Sequence, residues 1–213
     1  EWMFAGHQYK ILHNAINASD YTYSSKKAIT IRKRLQVEQN LVIGHVGRFD
    51  TQKNHTFLLD IFSECVKFVP NARLLLVGDG EGKTQIQEKA GSLGLENKVI
   101  FIGVRNDVAD LLQAMDVFVF PSLYEGVPVT MIEAQASGLP CIISDGVPGE
   151  CIITSGLVTS MKLSDTPCDW AKYIVAQSHR KRENHLKEIQ AAGYDIVTAA
   201  KELEDFYLKK CGE

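Results

Sequence analysis

The chain has 213 residues and a mass of 23.7 kDa, enough for one sizeable core or for one domain with an appendage. It is 45% hydrophobic and 23% charged with a formal net charge of −3, a balance that offers no electrostatic footprint for nucleic acid. No apolar run approaches the roughly 18 residues of a membrane helix, and no signal-peptide pattern is present.

The chain opens on Glu1 rather than Met, so it is expected to be a fragment of something longer. Residues 1–39 read as a connecting segment. In it, Tyr9-Lys-Ile-Leu-His13 is a candidate short strand, and Asn14 to Asp20 is turn-rich. Lys26, Lys27, Arg32, Lys33 and Arg34 make the segment basic. Such a stretch is either a solvated helix face or a contact for an acidic membrane surface or a phosphate, and the solvated face is the expectation.

From residue 40 short apolar runs alternate with amphipathic helices. Leu41 to Val46, Ala72 to Val77, Val99 to Ile102, Val117 to Phe120 and Cys141 to Ile143 read as strands. Between them lie helices over Asn54 to Val69, Lys83 to Ser92 and Asp107 to Ala114. The first of these helices carries Leu58, Ile61, Phe62, Cys65, Val66 and Val69 on one side. This pattern predicts an α/β fold: a Rossmann-like parallel sheet with helices on both faces. Ligands of such sheets bind outside the carboxyl ends of the strands.

The stretch from Pro121 to Pro140 is the most informative. It follows an apolar run without alternation, as a strand covered on both faces requires. Gly126 suits a tight turn, Pro128 suits the first position inside a helix, and Gly138 followed by Pro140 ends that helix. The exposed amides at the helix start, with the positive end of its dipole, form a site for phosphate. Glu133 then lies about 7.5 Å along the axis, and Glu125 precedes the turn. Both carboxylates suit sugar diols, although a turn residue and a solvated helix position account for them on spacing alone.

Beyond residue 150, Cys151 to Met161 holds room for one more short strand. Thr166-Pro167 opens a helix that turns Trp170, Ile174 and Val175 to the core. Arg180-Lys-Arg182 reads as a solvated helical face. A last helix, about Tyr194 to Lys209, carries Ile196, Val197, Leu203, Phe206 and Tyr207. The five cysteines are an odd number; Cys65, Cys141 and Cys151 sit in apolar contexts, and reduced buried thiols are expected.

Pro121-Ser122, Glu125-Gly126, Glu133-Ala134 eight residues on, and Gly138-Leu-Pro140 resemble the donor-site motif of the retaining family-4 glycosyltransferases. Those enzymes have a two-Rossmann GT-B architecture, and the resemblance is to the bacterial transferases that build capsular or exopolysaccharide. It implies that Glu125 contacts the donor sugar and that Glu133 binds the ribose hydroxyls. Gly47-Arg48 followed by Lys53 resembles the family's glycine-arginine and lysine element, whose cations bind the donor's terminal phosphate. Gly47, Gly126, Val127, Val129 and Thr130 would line the nucleotide, and Val104 and Arg105 would lie against the nucleobase. Phe4-Ala-Gly and Asn14-Ala-Ile-Asn17 resemble the linker that enters the C-terminal half of these enzymes.

The implied division is therefore a linker over 1–39, a donor-binding domain over 40–165 and C-terminal helices over 166–213. The last helix would pack toward an N-terminal acceptor domain that this chain lacks. The implied chemistry is transfer of a sugar from a nucleoside diphosphate, UDP by expectation, to a polysaccharide or glycolipid acceptor. The anomeric configuration would be retained, no cofactor or metal used, and the fragment inactive alone. A cytoplasmic setting, at most peripheral to the inner membrane face, goes with that reading.

Two other classes stay open at the level of residues. Gly78-Asp-Gly-Glu-Gly-Lys-Thr84 is one residue short of a Walker loop, which would need glycine where Val77 stands; it also lacks the third glycine of the dinucleotide fingerprint. A phosphate-loop NTPase would depend on Lys83. A non-catalytic nucleotide-binding module is the other alternative. The six histidines form no metal-ligand spacing, and no Asp-x-Asp occurs.

Overall fold

Apolar runs without alternation become strands buried on both sides. β1 (Val42–Val46), β4 (Val117–Phe120) and β5 (Cys141–Ser144) are buried at every position, and β2 (Arg73–Val77) at all but the first. With β3 (Val99–Gly103) and the shorter β6 (Val158–Met161) they form one parallel sheet in the order β3-β2-β1-β4-β5-β6. The computed structural model describes residues 11–211.

Successive residues of each strand serve opposite cores, as the two-residue period demands. Val42, Leu75, Phe118 and Ile143 point to one core; Ile43, Leu74, Leu76, Val119 and Ile142 point to the other. The first core is covered by α1 (Ala18–Tyr21), α2 (Ser25–Leu35), α5 (Val108–Ala114), α6 (Val129–Ala136) and α8 (Leu186–Ala191). The second is covered by α3 (His55–Phe68), α4 (Lys83–Ser92) and α7 (Pro167–Gln177). α9 (Ile196–Cys211) completes the chain.

The helices end where their chemistry says they should. Thr166 caps α7 by accepting from Asp169 N at 3.2 Å, with Pro167 in the first turn. α6 stops at Gly138, whose φ is +66°, and Leu139 N returns to Ala134 O at 3.1 Å. Pro128 sits at the N-cap of α6, one position before the first helical residue.

Several sequence expectations are corrected. Ile11 to His13 do not form a strand, and Tyr9 and Lys10 lie outside the described residues. Instead Ile16 forms an isolated bridge with Asp195. Asn14 to Asp20 includes the short helix α1. The basic face of α2 is not simply solvated: Arg32 donates to Ala114 O at 2.8 Å and pairs with Asp116 at 3.1 Å, Lys27 faces Asp110 and Arg34 faces Asp107.

Arg180 to Arg182 is loop, and Arg182 is no solvated charge. It donates to Ser137 O at 2.9 Å, Leu112 O at 3.0 Å and Gln113 O at 3.2 Å, and it lies 4.2 Å from the Tyr23 ring. The carbonyls that end α5 and α6 need donors, and Arg182 supplies both helices at once. Burial pulls its pKa down to about 10.

Gly126 is not required by its turn. Its φ lies outside the left-handed region, and a Cβ there would meet nothing within 4 Å. Leu203 and Phe206 of α9 are half-buried, whereas Ile196, Val197, Tyr207 and Leu208 remain exposed. Among the described residues no helix is long and apolar enough to cross a membrane.

Candidate functional site

Strand order reverses between β1 and β4, and sheets of this kind bind ligands outside the carboxyl ends of the strands at such a switch point. The β1 loop carries Gly47, Arg48 and Lys53; the β4 loop carries Glu125 and Gly126 and leads into α6. The two loops are laced together. Leu123 N donates to Gln52 O at 2.8 Å, and Asn54 Nδ2 donates to Pro121 O at 3.1 Å. Asn54 takes a left-handed conformation (φ 54°) to do so.

The two predicted charges meet directly. Lys53 Nζ lies 2.7 Å from Glu125 Oε1, and Gln52 Nε2 donates to Glu125 Oε2 at 3.1 Å. Both side chains are shielded, with exposures of 16% and 5%. Lys53 also sits 4.8 Å above the Phe120 ring. An ammonium has three protons, so Lys53 retains donors for a further anion.

Beneath this pair lies a histidine pair. His45 Nδ1 donates to Val119 O at 2.9 Å, and its ring meets His55 edge-on at 4.7 Å. His55 stacks on Phe49 at 4.2 Å. Burial holds the His45 pKa well below its ordinary value, and burial with the nearby Lys53 charge lowers that of His55 to about 4. Both rings are therefore neutral at pH 7, in keeping with packing roles. A Cβ at Gly47 would come within 2.7 Å of His45 Nε2, so the histidine below excludes a side chain there.

Arg48 is exposed and makes no ion pair among the described residues. It borders a cavity of about 380 Å³ that runs past Asp50 and Asn54 to Glu81 and Gln85 at the start of α4. Lys53, Glu125 and Glu133 do not line that cavity.

Val127 and Pro128 lead into α6, and Pro128 has no side chain that could cap it. The first-turn amides, at Val129 and Thr130, are therefore open to a ligand. One turn on, Glu133 accepts from the Tyr21 hydroxyl at 2.6 Å. Burial raises the Glu133 pKa, and the Tyr21 hydrogen bond works against that rise. Two residues further, Gln135 is fully buried: Nε2 donates to Cys151 O at 2.7 Å, and Oε1 accepts from Ile153 N at 2.9 Å and Thr154 N at 3.1 Å. It fixes the loop after β5 against the back of α6.

Val104 and Arg105 stand apart. They leave β3, the edge strand, and border an open depression of about 340 Å³ with Asn106 and Asp107. Arg105 is held by Asp107 through bonds of 2.7 and 2.9 Å. No hydrogen bond joins this turn to Lys53, Glu125 or Glu133 among the described residues.

The glycine-rich turn after β2 serves backbone contact. A Cβ at Gly78 would overlap the Gly47 carbonyl, and one at Gly80 would fall 2.6 Å from Phe49 O. Lys83 pairs with Asp79 at 3.1 Å. Sequence reasoning missed Tyr21, Gln52, Gln135 and Arg182. Only Gln52, next to Lys53, carried a local signal.

The sheet order, with its reversal between β1 and β4, and the covered faces define a doubly wound, Rossmann-like protein. Residues 27–159 match the family model described as glycosyl transferases group 1, and the chain belongs to that family. It is 43% identical over 158 residues to EpsF of Bacillus subtilis (strain 168), named as a glycosyltransferase, with 73% of this chain and 41% of EpsF covered. It is 30% identical over 192 residues to the capsular polysaccharide biosynthesis glycosyltransferase CapH of Staphylococcus aureus, covering 88% of this chain and 53% of CapH.

Among solved structures, Anabaena HepE in complex with UDP superposes with a TM-score of 0.79 at 23% identity, over 98% of this chain and 60% of HepE. The fold thus matches one half of GT-B glycosyltransferase structures. The chain spans about half, or less, of the length of the curated relatives it matches.

Proposed function

We propose that this chain is the donor-binding half of a retaining glycosyltransferase that takes its sugar from a nucleoside diphosphate, UDP in the first instance. One observation carries the reading. At the switch point, Lys53 on the β1 loop and Glu125 on the β4 loop meet at 2.7 Å; the β4 loop runs into the uncapped tip of α6, and Glu133 follows one turn inside that helix.

In this reading the diphosphate docks on the amides around Val127, Val129 and Thr130. Arg48 is a bidentate partner and Lys53 a point charge for its terminal phosphate. Together they meet the charge that develops on the leaving diphosphate, so transfer proceeds without a metal. Open space at Gly126 lets a ligand approach the backbone closely. Glu133 accepts from the ribose hydroxyls, Glu125 from the donor sugar, and the Val104–Arg105 turn faces the base. The UDP complex of HepE supports the choice of nucleotide. The family resemblance supports retention, a role for the leaving phosphate in deprotonating the acceptor, a polysaccharide or glycolipid acceptor and a cytoplasmic setting.

Calorimetry tests the assignment. Glu133→Ala should weaken UDP binding on the order of 10–100-fold, and unchanged affinity removes Glu133 from the site. Glu125→Ala should spare UDP and lose discrimination among UDP-sugars; equal losses for both ligands would contradict the division of roles. Sugar release from UDP-sugar should need the chain joined to an acceptor-binding half. Release by the 213-residue chain alone at full rate would refute the assignment of half-sites.

A further inference from the structure

Tyr21 lies 112 residues from Glu133 in sequence, yet its hydroxyl donates to Glu133 Oε1 at 2.6 Å. It stands on α1, in the segment that precedes the sheet, and that segment is fastened on both sides of it. Upstream, Ile16 N donates to Tyr194 O at 2.9 Å, Ile196 N donates back to Ile16 O at 2.8 Å, and Ala18 N donates to Asp195 Oδ1 at 3.2 Å. Downstream, Gln113 accepts from Ser24 N at 2.9 Å and donates to Tyr21 O at 3.1 Å. Gln113 is itself buried. The tyrosine is therefore held in place by backbone anchors, independent of any ligand.

Among the described residues no cation pairs with Glu133; burial and the Tyr21 hydroxyl are the influences on its charge. The ionisable groups on neighbouring elements are engaged elsewhere. Asp110 of α5 faces Lys27, Glu188 of α8 faces His185, Asp195 receives Ala18 N, and Arg182 caps α5 and α6. Asp20, beside Tyr21, accepts from Asn17.

We infer that Tyr21 is a positioning residue of the nucleotide site: by occupying one oxygen of Glu133 it fixes the plane of the carboxylate and leaves Oε2 to the ribose diol. This rests on the reading of Glu133 given above. A carboxylate offers about four acceptor positions, so one bond to tyrosine leaves room for two sugar hydroxyls. The same bond favours the ionised form, the stronger acceptor. The segment ahead of the sheet thereby becomes part of the donor site.

The test is UDP titration by calorimetry, from mildly acidic to mildly alkaline pH, on the full chain and on Tyr21→Phe, Glu133→Gln and the double variant. Tyr21→Phe keeps the ring and should bind UDP about tenfold more weakly at neutral pH. Its affinity should also begin to fall at a higher pH than in the parent chain, because the bond that keeps Glu133 ionised is gone. The double variant should bind no more weakly than Glu133→Gln alone. A Tyr21→Phe loss that is equal at all pH values, or that adds in full to Glu133→Gln, would make Tyr21 merely structural and overturn the inference. Unchanged binding in Tyr21→Phe with loss in Glu133→Gln overturns it while sparing the role of Glu133. Unchanged binding in Glu133→Gln instead sinks the reading of Glu133 itself.

Discussion

The two carboxylates of the candidate site are accommodated in opposite ways. Glu125 is 5% exposed but shares its burial with an ammonium and an amide, one on each oxygen. Glu133 is half-buried, with the Tyr21 hydroxyl as its side-chain partner among the described residues and a raised pKa. The first faces a cation directly. The second has its charged form disfavoured by burial, with the Tyr21 hydrogen bond working against that. With one hydrogen bond to Tyr21, its carboxylate keeps further acceptor positions.

The strongest way to break this contrast is Lys53→Met. It strands Glu125 in a shielded position and should lower unfolding free energy by about 3 kcal/mol, read as a fall in denaturant midpoint at constant slope. A loss as small as that of a surface ion pair would mean that Glu125 turns out to water and is no buried partner.

The next test uses the histidines beneath Lys53. Their lowered pKa values place their stabilisation above the ordinary histidine value of 6.5, to be lost as pH falls toward about 4 for His55. His55→Phe should flatten that acid slope and keep the stack on Phe49. An unchanged slope would place the acid sensitivity elsewhere.

Glu133→Gln carries the opposite sign. A carboxyl whose folded pKa is raised contributes stability that is complete below its unfolded value, near 4.5, and is lost as pH rises through the folded value. The amide should therefore raise the melting temperature by a few degrees at pH 7 and give no gain below about pH 4.5. A loss of stability at pH 7 would show that the charge is compensated after all. The smallest effect belongs to Arg105→Ala: its exposed pair with Asp107 should contribute no measurable change in melting temperature. Any loss of UDP affinity would then report contact with the base.

Much of this was legible in the chain. Strand runs such as Val117 to Phe120 and helix ends such as Gly138 are local signals, whereas spacing left Lys53, Glu125 and Glu133 as ordinary surface positions and only the resemblance to the family's motifs joined them into one expected site. What escaped was long-range. Tyr21 reaches Glu133 from 112 residues away, and Arg182 looked like one charge in a basic triplet until two helix ends required its donors. Gly126 misled in the other direction: its turn tolerates a side chain, so the local backbone does not require the glycine.

At Gly78 the chain crosses the Gly47 carbonyl with no room for a methyl group. That glycine acts as a spacer of zero thickness, and alanine in its place would be a wedge. The displaced element would be the β1 loop, with Arg48 and Lys53 on it. Damage to recognition should thus surface at a position that touches no ligand, one that a survey of contacts would pass over.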